Sequence, residues 1–470
     1  MKKSLTQAIA LATAIGAAAS AHAVNIDQDG HGSALLFPVY TVENGNSTFL
    51  SITNTTNKYK AVKVRFVEGL NSKEVLDFNL YLSPQDVWNG GIVATAKGAK
   101  LISNDTSCIS ANKNGFPVAG MQFRDYQYVD DKDAPAAFSG LDRTRVGHFE
   151  VIEMGDINPA QPLGATTAGV AIKHVNGTPG NCAAINAAWN GGGVWKTTPN
   201  AGLLPGTGGL YGTAAVVNVD AGWASSYDAI ALANFAVTSL HTEPGFVTPS
   251  LTQAAPTSTF KEGTIAAPVS GLGVDAVSAI LMKESIQNDY IVGAGLNAQT
   301  DLVVTFPTKR HYVNLAPVVA GVHSFAAPFT AGWNTKTAEA CEPINVTYYN
   351  TEEASLVLQE EQISPKPPAG KGLSLCHEAN ILHIAGSNLL GGGLYEGHNL
   401  DLAAGFEQGW MNIDMTGPGR VIDMGLGLGN NPEGLPAIGF ATIATQNGDV
   451  GGLLSNYAQS FVHKATTTIE

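Results

Sequence analysis

The clearest regularity along this chain is an alternation of apolar and polar residues. Over residues 61–68, Val62, Val64 and Phe66 fall on one side and Lys63 and Arg65 on the other. Over residues 74–82, Leu76, Phe78, Leu80 and Leu82 alternate with Asp77, Asn79 and Tyr81. A period of two sends successive side chains to opposite faces of a strand, so both segments are predicted as half-buried antiparallel strands. Residues 34–42, interrupted by Pro38, and 48–53, with Leu50 and Ile52 on one face, extend the pattern. Between them lies Asn44-Gly45, a hairpin signal because both residues accept positive φ. Further strands are expected at 143–154, 214–220, 301–306, 344–349, 356–359, 381–385, 410–414 and 438–444. One segment breaks the rule: Val274, Val277, Ile280 and Leu281 recur at helical spacing with Asp275 in the first turn, which predicts a helix over 274–286. The stretch 156–213 is rich in Gly, Ala, Asn, Thr and Pro and reads as long loops or an insertion.

Many short alternating strands with turn signals between them point to a mostly β fold. The expected architecture is two antiparallel, immunoglobulin-like sandwich regions with long Gly-rich loops and few short helices. The corresponding division is an N-terminal β-sandwich domain over 24–155, a loop-rich connecting or inserted region over 156–260, and a C-terminal β domain over 261–470.

The first residues address the chain to export. Lys2 and Lys3 precede an apolar run over 8–19, and Ala21-His22-Ala23 satisfies the small-x-small cleavage rule. Cleavage is expected after Ala23, making Val24 the first mature residue. The run is shorter than the ~20 apolar residues of a membrane span, and no later stretch is long enough, so no transmembrane segment is expected. Location changes how charge and cysteine are read. Without Lys2 and Lys3, 23 basic residues face 39 acidic ones, a formal charge of −16. Such a surface excludes a nucleic-acid binder, which needs a basic face to displace counterions. In an oxidising compartment the four cysteines are expected to pair. Three connectivities are possible, and the simplest joins Cys108 to Cys182 and Cys341 to Cys376.

Several segments resemble a known group of proteins: Asn54-Thr55-Thr56, Val62-Lys63-Val64-Arg65-Phe66, Leu82-Ser83-Pro84-Gln85-Asp86-Val87-Trp88, Val151-Ile152-Glu153-Met154-Gly155 and Val304-Thr305-Phe306-Pro307-Thr308-Lys309-Arg310. They are similar to segments of a family of exported proteobacterial envelope and surface proteins with no established activity. The resemblance implies an envelope or extracellular location and supplies no catalytic residue.

Candidate chemistry is sparse. Asp27, Asp29 and Gly30 resemble the first half of a calcium loop, but position 12 is Leu36 rather than the bidentate Glu, so a flexible polar N-terminus explains them as well. Asp125, Asp130, Asp131 and Asp133 form an acidic cluster that fits a cation site or a solvated turn beside Pro135. Cys376-His377-Glu378 with His383 offers metal-binding residue types, but the histidines are six apart rather than the four of HExxH. Gly271, Gly273 and Ala276 open the predicted helix as a GxGxxA, more simply a turn packed closely on a helix than a dinucleotide site. His148 and Glu150 share a strand face, and Glu150 with Glu153 would serve as a carboxyl pair for glycoside hydrolysis if both reached one cleft. Of Trp88, Trp189, Trp195, Trp223, Trp333 and Trp410, most are expected in the core; an exposed one would stack on sugars or a partner protein. The expectation is therefore an exported non-catalytic envelope or extracellular protein with a structural, adhesive or binding role, engaging proteins or glycans and needing no cofactor. The alternatives are a secreted hydrolase acting on polysaccharide and a calcium-dependent binding module.

Overall fold

Alternation decides which way each strand faces, and two pairs of sheets follow from it. The structure is a computed structural model describing residues 23–469 apart from 112–115, 118, 129–137, 294, 365–371, 393–395 and 428. Of the segment 1–23 expected to be a signal peptide, residues 1–22 lie outside the described residues. The fold is mostly β, and the named sheets are almost entirely antiparallel. The first sheet runs, in spatial order, Asn25–Ile26, Ile230–Ala233, Ala34–Thr41, Val146–Ile157, Tyr59–Glu68, Glu74–Leu82 and Cys108–Ser110. The second runs Trp223–Asp228, Leu210–Asn218, Asn46–Asn54, Val87–Thr95, Gly98–Ile102 and Met121–Gln122. Val62, Val64, Phe66, Phe149 and Val151 of the first sheet share one buried cluster with Leu50, Ile52, Trp88 and Val216 of the second. Phe78 and Trp88 meet edge to face across it, with ring centroids 5.5 Å apart. Gly212 makes room here, since a Cβ on it would lie 2.4 Å from the Phe37 ring.

The third sheet runs Ser355–Val357, Asn345–Asn350, Gln408–Asp414, Ser285–Ile291 and Lys464–Thr466. The fourth runs Ile363–Ser364, Glu396–Leu400, Ala379–Ile384, Ala298–Thr305, Ile438–Val450 and Leu453–Val462. They form the second sandwich, in which Thr300 Oγ1 of the fourth sheet donates to Ile291 O of the third at 2.8 Å. The two sandwiches share one hydrophobic cluster. Tyr227 stacks on Phe440 at 4.6 Å, Thr305 Oγ1 donates to Pro38 O at 2.6 Å, and Ala379 N donates to Gly69 O at 2.9 Å.

Three sequence expectations change in detail. Asn44 and Gly45 do take φ of 53° and 77°, as a tight turn of mirror-image type requires. The strands it joins, however, enter different sheets, so the turn is an arch between layers rather than a hairpin. Thr41 and Thr48 hold the arch, each through the other's side chain or backbone. The predicted helix forms over Gly273–Leu281 and stops short, because Met282–Lys283 pairs with Leu435–Pro436 and Ser285–Ile291 joins the third sheet. The stretch expected to be loops carries the helices Ala168–Ile172, Cys182–Ala188 and Val194–Thr197. They have a core of their own around Trp189, Trp195 and Tyr81, and Trp189 Nε1 donates to the Tyr81 hydroxyl at 2.8 Å. The Cys108–Cys182 bridge ties this cap to the first sheet, and Cys341–Cys376 forms the second bridge. Among the described residues no helix is long and apolar enough to cross a membrane.

Candidate functional site

The third sheet is the place where alternation leaves chemistry in water. Val346, Tyr348, Met411, Ile413, Ile286 and Tyr290 turn inward and are buried. The residues between them turn outward in rows set by the register. One row places Tyr349, Trp410 and Asp289 on adjacent strands; the next places Thr347, Asn412 and Gln287. Trp410 and Tyr349 stack at 4.1 Å with their planes within 3°, and Trp410 remains 39% exposed. Stacking occupies one face of each ring and leaves the other for a partner. Gln287 Nε2 donates at 2.8 Å to both Ser285 Oγ and Asn412 Oδ1, which fixes the amide row beneath the rings. Asp289 is exposed and has no hydrogen bond or ion pair among the described residues. The result is a flat face with an aromatic platform, a carboxylate and oriented amides on a rigid sheet.

The outer face of the first sheet has the same period and the opposite character. Lys63 and Arg65 point away from the apolar core, as their spacing predicts, yet both are buried. The segment 243–246 covers Lys63, its carbonyls accepting from Lys63 Nζ at 3.4 Å. Each cation is then matched. Lys63 Nζ donates to Asp77 at 2.7 Å, and Arg65 to Glu74 at 2.9 Å and Glu150 at 2.7 Å. Nearby, Glu68 accepts from Arg143 Nε at 2.8 Å and Nη2 at 2.9 Å and caps the backbone N–H groups of Leu70, Asn71 and Lys73. Those donors hold its carboxyl below the usual range in spite of complete burial.

The candidates read from the sequence end up apart. Glu150 faces outward onto Arg65, whereas Glu153 shares the inward parity of Phe149 and Val151 and reaches Lys60 at 2.5 Å. The two carboxyls therefore point to opposite faces of one sheet and do not frame a cleft. Burial raises both, Glu153 to about 7. His148 Nε2 lies 2.7 Å from Ser72 Oγ, and burial lowers the imidazole to about 3. A base tuned so far below neutrality is poorly matched to general-base work, so the contact serves structure. Asp27 Oδ1 accepts from the backbone of Asp29 and His31, both at 3.0 Å, which makes this segment a side-chain-capped turn. Asp125 lies at a turn, and Asp130, Asp131 and Asp133 fall outside the described residues. Cys376 is bridged, His383 Nδ1 meets Asp301 at 2.9 Å, and Glu378 is buried elsewhere in the seam between sandwiches. Among the described residues no group of three or more His, Cys, Asp or Glu could hold a metal. Gly273 opens its helix against the Ala254 carbonyl, which a Cβ would approach to 2.0 Å, so close packing explains the GxGxxA.

Of the six tryptophans only Trp410 is exposed. Its signal was present in the sequence: it shares parity with Asn412 and Asp414, not with Met411 and Ile413. Asp289 and Gln287 carried no such signal, because their segment overlaps the end of the helical pattern. Compared with known protein families, curated proteins and solved structures, the chain matches none.

Proposed function

We propose that this is an exported, non-catalytic binding protein of the cell envelope or extracellular space, and that it holds neutral glycan on the outer face of its third sheet. The export leader of the sequence and the two disulfides support the location. The observation that carries the reading is the exposed Trp410–Tyr349 stack in register with Asp289. A pyranose ring presents C–H groups on its face and hydroxyls on its rim. The free face of an indole takes the first through weak C–H contacts, and a carboxylate and amides take the second. The net negative charge favours an uncharged saccharide over a polyanionic one.

The test is affinity electrophoresis of the exported protein through gels holding neutral polysaccharides, compared with Trp410→Ala. Retardation by at least one glycan is expected, with binding about tenfold weaker in the variant. No retardation across the panel, or equal retardation of both proteins, would refute the reading.

A further inference from the structure

A separate cleft lies where the first mature residues meet the C-terminal strand. It encloses about 700 Å³, within the range of small-ligand sites. Its floor is apolar, formed by Ile26, Phe260, Ile280 and Met282. Three lysines line it, Lys261, Lys283 and Lys464, and Lys261 is already engaged with a partner of its own. Lys283 is the unusual one. It is half-buried, and its ammonium makes no hydrogen bond or ion pair among the described residues although the chain has a large surplus of acid. Burial lowers its affinity for a proton. An ammonium withdrawn from water without a counter-charge is costly, and an anion in the cleft would offset that cost.

The surrounding groups sharpen the ligand. Asp27 lines the same cleft, but its Oδ1 is committed to its own turn. His463 adds no charge: Nε2 donates to Val303 O and Nδ1 accepts from Asn288, both at 2.7 Å, and burial lowers it to about 4. The backbone at Lys283 is held in place by pairing with Leu435, and Gly434 sits so close that a Cβ would lie 1.9 Å from Lys283 O. With Lys261 engaged elsewhere, the inner cation Lys283, the exposed Lys464 and the apolar side chains match a single negative charge attached to a hydrocarbon body. We infer that this cleft binds an aliphatic carboxylate, its carboxyl on Lys283 and its chain over Ile280 and Met282. The cleft adjoins the edge of the third sheet, where Lys464 pairs with Gln287, but Lys283, Ile280 and Met282 lie outside the row of Trp410 and Tyr349.

Titration calorimetry on the exported protein tests it with hexanoate, with hexan-1-ol and inorganic phosphate as comparisons. Hexanoate is expected to bind at millimolar concentration or below, and each comparison at least tenfold more weakly. Lys283→Met should weaken hexanoate about tenfold to a hundredfold, the worth of one charge-assisted hydrogen bond, with an unchanged or higher Tm. Lys464→Gln should weaken it a few-fold, and it supplies the readout if the first variant fails to fold. Absence of hexanoate binding, equal binding of hexanol, tighter binding of phosphate, or wild-type affinity in the variant that folds would each overturn the assignment.

Discussion

The outer face of the first sheet and the outer face of the third are written in the same alternation, yet one is dry and charged and the other wet and aromatic. Lys63 and Arg65 turn away from the core just as Thr347 and Tyr349 do. The difference comes from what lies above. The first sheet is covered by the 243–246 segment and flanked by the helical cap, so its charges had to be paired. Nothing among the described residues pairs with Asp289 on the third sheet, and its rings stack only on each other. Period two therefore tells which residues share a face. It does not tell whether that face meets water.

The largest effect should come from breaking a pair on the covered face. Arg65→Met would leave Glu74 and Glu150 buried without their cation. Removing one partner of a buried pair costs about 3–5 kcal/mol, because the remaining charge is uncompensated. Urea denaturation at pH 7 should show that loss, and a loss below about 1 kcal/mol would mean that water reaches this face after all.

Glu378 gives the next test, since it is a buried acid without a salt bridge as close as those of Glu74 and Glu150. Burial raises the group to about 8, against the lowering pull of nearby Lys309 and of the Ser72 hydroxyl, which is itself committed to His148 at 2.7 Å. The folded protein then keeps a proton that the unfolded chain, titrating near the ordinary value of 4.5, has released. Stability from this group is full below about pH 4.5 and is lost as pH rises toward 8. Glu378→Gln should match the native protein at pH 5 and exceed it by on the order of 2 kcal/mol at pH 9. Melting curves across that range decide it; a gap that does not widen with pH would show that Glu378 is already ionised in the fold.

The same contrast explains what was legible beforehand. The strands and their core faces could be read from Val62, Val64 and Phe66, because burying an apolar stripe is a local instruction. The two sheets could not be assigned from Asn44-Gly45, because the turn sets local φ but not the partner of each flanking strand. The helical cap was hidden by its composition: its helices run only four to seven residues, and its stability comes from Trp189, Trp195 and a disulfide to a distant strand. The carboxyl pair Glu150 and Glu153 failed on parity alone, since residues three apart on a strand point opposite ways. Trp410 was readable as a tryptophan on a polar parity, whereas Lys283 acquires meaning only when residues 25–28 and 463–469 come together in space.

The smallest effects should fall on the open face, and their smallness is itself informative. Trp410→Ala removes half of a stacked pair that is already partly in water, a cost of about 1 kcal/mol. Asp289→Asn alters an exposed carboxylate with no partner among the described residues and should change stability by less than about 0.5 kcal/mol. A face kept for folding would lose stability when cut back; a face kept for a ligand loses binding instead. Denaturation of both variants beside their glycan retardation separates the two. If Trp410→Ala costs as much as Arg65→Met, the ring pair is part of the core's support, and the third sheet is no more a binding surface than the first.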